Sequence, residues 1–393
     1  MKTASGYSPA VRTGLIALLC GLLGAGAALG IGLGTGALGS ATTERIVQTV
    51  GGERPLAAAP AGNGFSAARV YAARSPGVVT VFSYFGGAGS QGSGFVVAPT
   101  GTILTNAHVI TNAGETSGPV SAASAVYVEF PDGDRVGARI VGWDVFDDVG
   151  VLRVDPADHA LAPLPLGRSS RVVVGEPVAA IGSPLGNTDS LAVGVVSAVG
   201  RSIAALTARF DLTDAIQTDA PLAHGSSGGP LLDGRGRVIG INAQIRSDQG
   251  GSSGIGFAVP IDAARRSLQE LMTKGKVEYA YAGVQAQDLT PSLAAHLGLR
   301  VHRGALVDRV VAGGPADRAG IRGGGRQETY LGEAVVAGGD VIVSIGGHPV
   351  ADASDLVNIV TNDLRAGATV SVRLVRGGGT RTVSLRLAAR PSR

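Results

Sequence analysis

The chain has 393 residues, enough for two or three domains. Hydrophobic residues make up 45% and charged residues 16%, which excludes a disordered polar chain and allows a sizeable core. The net charge of +3 is spread thinly, so nucleic acid is not an expected partner, and the single cysteine, Cys20, excludes an intrachain disulfide.

No charged residue lies between Arg12 and Glu44. The apolar run over 15–38 can cross a hydrocarbon core, which takes about 20 helical residues. It exceeds the ~7–15 residues of a cleavable signal's apolar region. Lys2 and Arg12 precede it, which places the N-terminus in the cytoplasm. The expectation is a cytoplasmic stretch over 1–12, a transmembrane signal anchor over 13–39, and everything after it outside the cell membrane. The alternative is a secretory signal cut near 37–41. Residues 40–64 are rich in Ala, Gly and Pro and read as a flexible tether.

From residue 78 the pattern changes to short β runs between turns. Runs fall at 78–85, 94–97, 102–105, 126–130, 136–141, 149–154, 178–181, 192–198, 216–218, 230–232, 238–243 and 256–259. Many short strands with Gly/Pro turns indicate barrels or sandwiches. A helix over 261–272 closes this region. A third region, to about residue 389, has strands at 305–311, 341–345, 370–375 and 381–387. It also has helical patterns at 315–319 and 354–364, the second capped by Asp352 or Ser354.

The stretch Gly225-Ser226-Ser227-Gly228-Gly229-Pro230 places a serine on a glycine turn, with its hydroxyl exposed and backbone N–H groups beside it. Upstream, His108 follows an apolar strand in Thr105-Asn106-Ala107-His108, and Asp148 opens the buried run Val149-Gly150-Val151-Leu152. An acid there is costly unless hydrogen-bonded, and an imidazole is one natural partner. These three residues fit acyl transfer, with Ser227 as nucleophile, His108 as base and Asp148 as its orienting carboxylate. The N–H groups of Gly225 and Ser227 would form the oxyanion hole, with Ser226 a third candidate donor. Asp144 and Asp147 are expected in a solvated turn, and His159, His296, His302 and His348 at the surface. His224 is expected to be a loop residue. No Cys/His cluster has zinc spacing and no His-Glu-x-x-His occurs, so no metal and no cofactor is expected.

The segments Ser93-Gly94-Phe95-Val96-Val97, Thr105-Asn106-Ala107-His108-Val109, Asp147-Asp148-Val149-Gly150 and Gly225-Ser226-Ser227-Gly228-Gly229-Pro230 carry a resemblance. Together, in the order His, Asp, Ser, they resemble the HtrA/Deg family of trypsin-like serine proteases in its membrane-anchored, DegS-like form. The resemblance implies a mostly β fold. A double β-barrel protease domain over 65–274 carries His108 and Asp148 on its first barrel and Ser227 on its second. It also implies a homotrimer built through the segment around Phe65 and Tyr71, and a role in protein quality control or stress response. The family's Asn-Pro-Gly-Asn before the serine is here Ala223-His224-Gly225-Ser226. The loop after Ala243 has no acidic residue until Asp248, so small or medium apolar residues are expected before the scissile bond.

Tyr281-Ala282-Gly283-Val284 resembles the carboxylate-binding loop of an HtrA-type PDZ domain, here over 279–390 and of α+β type. It implies that C-terminal peptides add to the strand beginning at Val284. Gly323 to Gly338 is an insertion between segments that usually adjoin. Partners are therefore protein and peptide substrates, and the membrane through the N-terminal helix. Two other readings remain open: a catalytically silent peptide-binding or chaperone module, and a nucleophile-elbow hydrolase, which would need the order Ser, Asp, His.

Overall fold

The computed structural model describes residues 65–113, 119–183, 190–203, 207, 212–223, 225–243 and 254–391. The expected anchor and tether, His224 and the loop with Asp248 lie outside them. Among the described residues no helix is long and apolar enough to cross a membrane.

The described chain begins with α1 (Ala67–Arg74), capped by Ser66, whose hydroxyl accepts the Arg69 N–H. Six strands follow: β1 (Val78–Phe85), β2 (Ala88–Ala98), β3 (Thr102–Thr105), β4 (Ala125–Glu129), β5 (Arg135–Asp144) and β6 (Val149–Arg153). The short helix α2 (Ala107–Ile110) lies between β3 and β4. The strands close in the order β1-β2-β3-β6-β5-β4. Closure leaves no unpaired edge. Strand β4 shows the period of two plainly: Val126 and Val128 point inward while Tyr127 is exposed.

A second closed barrel contains β7 (Pro177–Gly182), β8 (Ser190–Ile203), β9 (Leu212–Thr218), β10 (Pro230–Asp233), β11 (Val238–Ala243) and β12 (Gly256–Pro260). Its order is β10-β11-β12-β9-β8-β7. Every residue of β11 is buried. The reason is that α3 (Ile261–Lys274) covers its outer face, with Ile261, Ala264 and Leu271 packed into one cluster with Ile241 and Val259. That cluster also joins Phe95, Leu104 and Val151 of the first barrel to Ile181 and Leu232 of the second. The two barrels therefore share a core. Helix α3 ends at Gly275, in the left-handed conformation, whose N–H bonds the Leu271 carbonyl.

The C-terminal domain opens with β13 (Ala280–Tyr281), β14 (Val284–Leu289), α4 (Pro291–His296), β15 (Gly304–Val310) and α5 (Pro315–Arg318). There follow β16 (Arg326–Tyr330), β17 (Glu333–Ala337), β18 (Val341–Ile345), β19 (His348–Pro349), α6 (Ala353–Asn358), β20 (Thr369–Arg376), β21 (Gly379–Arg386) and β22 (Ala388–Ala389). The main sheet runs β14-β15-β18-β20-β21, so β14 is its edge. The insertion is a β-hairpin, β16 on β17. The helix expected over 354–364 is divided: α6 is followed by a π-helical turn, Ile359–Asp363. Asp352, not Ser354, caps α6, its Oδ1 accepting the Asp355 N–H at 2.7 Å.

Two expectations are corrected. Asp144 and Asp147 are each only 3% exposed, because the C-terminal domain and α3 pack over their turn. His159 stacks on Phe130 with ring centroids 3.7 Å apart and pairs with Asp132 at 3.0 Å, so it is not a bare surface residue.

Candidate active site

His108 lies on α2, directly after β3. Its ring Nδ1 is 2.7 Å from Oδ2 of Asp148, and its backbone N–H donates to Oδ1 of the same carboxylate at 3.0 Å. Asp148 sits in the turn between β5 and β6 with φ +51°, a left-handed conformation uncommon outside glycine. Asn106 holds that conformation by donating from Nδ2 to the Asp148 carbonyl at 2.8 Å. The Asp148 side chain is nearly buried, and the His108 side chain is 18% exposed. The imidazole thus has one edge on a nearly buried anion and is itself mostly covered.

Ser227 is carried by a tight turn into β10. Gly228 N–H donates to the Asn242 carbonyl at 2.9 Å and Asn242 N–H to the Gly229 carbonyl at 2.8 Å, tying the turn to β11. Ser93 of β2 fastens it to the other barrel. Its N–H donates to the Ser227 carbonyl at 2.8 Å, and its hydroxyl to the Gly225 carbonyl at 2.6 Å. The same hydroxyl accepts the Ser183 N–H at 2.9 Å, and Thr105 Oγ1 donates to the Ser93 carbonyl at 2.6 Å. Gly228 has φ +87°, and a Cβ there would lie 2.1 Å from the Ser93 carbonyl oxygen, so the turn admits only glycine. Beside it, a Cβ on Gly92 would touch both the Val109 side chain and the Ser227 carbonyl. Strand β2 therefore brings the serine turn against the helix that bears His108.

The Ser226 N–H donates to the Ala223 carbonyl at 3.0 Å, within the turn. This directs it away from the role of third oxyanion donor. Ser93, Thr105 and Asn106 received no role from the sequence. Short polar residues within otherwise apolar strand ends were the only signal available.

The trypsin-like peptidase domain family matches residues 92–241, and the PDZ domain family matches 280–387. The putative serine protease HhoA of Synechocystis is 38% identical over 75% of this chain and 69% of its own. A probable periplasmic serine endoprotease, DegP-like, of Pseudomonas fluorescens is 37% identical over 77% of this chain; the chain spans only 57% of that relative's length. The solved structure of the HtrA-type protease AlgW with a tripeptide superposes with a TM-score of 0.68, at 33% identity, over 83% of this chain and 98% of that one. The chain belongs to the HtrA/DegP-like family of serine proteases.

In this HtrA-like chain the PDZ loop Tyr281-Ala282-Gly283-Val284 lines a groove of about 110 Å³ between edge strand β14 and α6. Leu356, Val357 and Val360 line it from α6 and the turn after it, and Arg390 also borders it. Gly283 has φ +75°, a left-handed conformation that favours glycine.

The PDZ domain also grips the turn bearing Asp148. Asp144 Oδ2 accepts from the Tyr279 hydroxyl and, at 2.6 Å, from Ser267 Oγ, while Asp144 Oδ1 accepts the Phe146 N–H at 3.0 Å. Burial, reinforced by the neighbouring Asp147 charge, pushes Asp144 up to about 6 against these hydrogen bonds. Asp147 Oδ2 pairs with Arg266 Nη2 at 2.7 Å. Burial opposes the Arg266 charge, but Asp147, Tyr279 and Asp144 outweigh it and hold its pKa above the usual value. Phe146 packs edge-to-face on Tyr279 at 5.2 Å.

Proposed function

We propose that this protein is an extracytoplasmic serine endopeptidase that cleaves unfolded or signalling proteins, with its PDZ groove binding peptide C-termini and regulating cleavage. The observation that carries the reading is the two-point hold of Asp148 on His108, beside a serine turn fastened to the same barrel. Nδ1–H of His108 donates to Asp148, which fixes the tautomer and leaves the lone pair on Nε2 to take the Ser227 Oγ proton. Ser227 then attacks the scissile carbonyl, and the N–H groups of Gly225 and Ser227 stabilise the oxyanion. His108 returns the proton to the leaving amine, and Asp148 stabilises the imidazolium in between. Water, activated by the same base, then hydrolyses the acyl-enzyme.

The apolar run before residue 40 supports a single-pass anchor in the cell membrane, with both domains outside. Homotrimer assembly through the segment around Phe65 and Tyr71 remains part of this reading, as do roles in protein quality control and stress response. The test is casein degradation by wild type and Ser227→Ala, with and without peptides ending in apolar residues. Cleavage by wild type alone, accelerated by peptide, supports the reading. Absence of cleavage by wild type under either condition overturns it in favour of a peptide-binding module.

A further inference from the structure

We propose that Asp288 makes the PDZ groove select C-terminal segments that carry a lysine or arginine at the fifth residue from the end. The inference rests on the reading of this groove as a site for peptide C-termini, and extends it to the class of peptide.

Strand β14 is the open edge of its sheet, paired with β15 along one side only. A peptide that adds to this edge runs antiparallel to it, with its carboxylate at the loop over 281–284. Side chains directly opposite one another in such a pair stand on the same face, and the faces alternate along each strand. Val284 and Ala286 line the groove. Gln287 points to the other face, where its Nε2 donates to the Val336 carbonyl of the insertion hairpin at 3.1 Å. Leu289 is buried on that same far side, in a cluster with Leu306 and Val335. The alternation therefore returns Asp288 to the groove face, about 13 Å along the strand from Val284.

A hydrogen bond agrees with this placement. Asp288 Oδ1 accepts the Ala353 N–H at 2.9 Å. Ala353 is the first residue of α6 and itself lines the groove. One carboxylate thus ties the strand wall to the helix wall at the end away from the loop. The bond fixes the position of the carboxylate and uses only Oδ1. Asp288 is exposed, and no arginine, lysine or histidine among the described residues forms an ion pair with it. Two further carboxylates at this end, Asp352 and Asp355, accept backbone N–H groups of Asp355 and Ala351. They add to the negative charge at this mouth of the groove.

The register of a bound peptide follows. Its last residue lies beside Val284, the third from the end beside Ala286, and the fifth beside Asp288. The first two meet the apolar surface of Leu356, Val357 and Val360, which suits aliphatic side chains. The fifth meets a fixed anion at a wet rim. Lysine and arginine suit that position, because their apolar stems lie along the groove while the charged head stays in water.

The test uses the full chain in detergent, with Ser227→Ala so that the probe stays whole. The probes are fluorescent decapeptides ending X-Ala-Val-Ala-Val with a free carboxylate, where X is lysine, alanine or glutamate. Affinity is read by anisotropy. The lysine peptide should bind about 2–5-fold more tightly than the alanine peptide, and the glutamate peptide about 2–5-fold more weakly, as for a partly exposed ion pair. The differences should shrink in 0.5 M salt, on the order of what screening imposes. Lysine moved to the fourth position from the end faces away from Asp288 and should bind like the alanine peptide. Asp288→Asn keeps an oxygen for the Ala353 N–H but removes the charge, and the three peptides should then bind alike. Asp352→Asn, which preserves a good helix cap, should keep the ranking.

Equal binding of the three peptides to the Asp288 protein overturns the proposal and leaves the groove as a peptide site. A ranking that survives Asp288→Asn, or one that is lost in Asp352→Asn alone, also overturns it. Binding that does not weaken when the peptide ends in an amide, or no binding by any of the three, removes the groove reading and this inference with it.

Discussion

Asp148 holds His108 at two points with one carboxylate: Oδ2 meets ring Nδ1 at 2.7 Å and Oδ1 accepts the backbone N–H at 3.0 Å. One group thereby fixes the position of α2, the rotation of the ring and the tautomer. Replacement by an amide keeps the shape but changes the hydrogen-bonding sense. In Asp148→Asn, the side chain can present a donor to Nδ1, which puts the ring proton on the wrong nitrogen. We expect kcat to fall by about 10⁴, with KM and the unfolding midpoint little changed. Steady-state kinetics and a thermal melt check both halves; a loss below tenfold would contradict the assigned role.

The single hydroxyl of Ser93 joins the serine turn at Gly225 to the end of β7 at Ser183. Ser93→Ala removes both bonds made by this fully buried side chain. The cost should be about 1–3 kcal/mol of stability, since the buried Ser183 N–H and the half-buried Gly225 carbonyl each lose a partner. Activity should fall more than stability implies, because the lost bond to the Gly225 carbonyl helps to hold the turn that carries Ser227. The urea midpoint and kcat, measured on the same preparation, separate the two effects. Unchanged kcat would show that the turn is held elsewhere.

Gly228→Ala is a harsher change at the same turn. The new Cβ would meet the Ser93 carbonyl oxygen at 2.1 Å and Thr105 Oγ1 at 2.4 Å, from a backbone at φ +87°. Neither neighbour can yield, since each is fixed by hydrogen bonds between strands. We expect no detectable cleavage and a clearly lowered melting temperature. A variant with wild-type turnover would mean that the turn can adopt another path.

Much of this site was legible because its chemistry is local in sequence. Val78–Phe85 was readable end to end as a strand, since its apolar and β-branched residues are continuous. His108, Asp148 and Ser227 each sat in a segment whose residue types agree with one role. The misreadings have a common cause. Asp144 and Asp147 look like turn acids by composition, and it is the packing of α3 and of Tyr279, 135 residues after Asp144, that buries them. Ser226 was a third candidate donor beside Gly225 and Ser227, but the direction of its N–H depends on the turn's closure on Ala223. The expected 354–364 helix breaks into a π turn at Ile359–Asp363, whose Thr361 carbonyl meets Arg266 from α3, a contact that no local propensity encodes.

Asp144 makes stability depend on pH in a direction opposite to that of carboxylates held charged by ion pairs. Burial and then Asp147 raise it to about 6, whereas an unfolded aspartate titrates near 3.9. Between these values the folded state holds a proton that the unfolded state has lost. The contribution to stability is therefore complete below about pH 4 and is lost as pH rises through about 6, by an amount on the order of 2–3 kcal/mol. Asp144→Asn cannot titrate. Its amide oxygen can keep the Phe146 N–H, and its NH₂ can donate to the hydroxyls of Ser267 and Tyr279. The variant should therefore be at least as stable as wild type at about pH 7.5, and its urea midpoint should change less between about pH 5 and pH 7.5. Parallel pH profiles for the two proteins would mean that Asp144 is ionised throughout, with the Tyr279 and Ser267 hydroxyls stabilising the anion rather than sharing a proton with it.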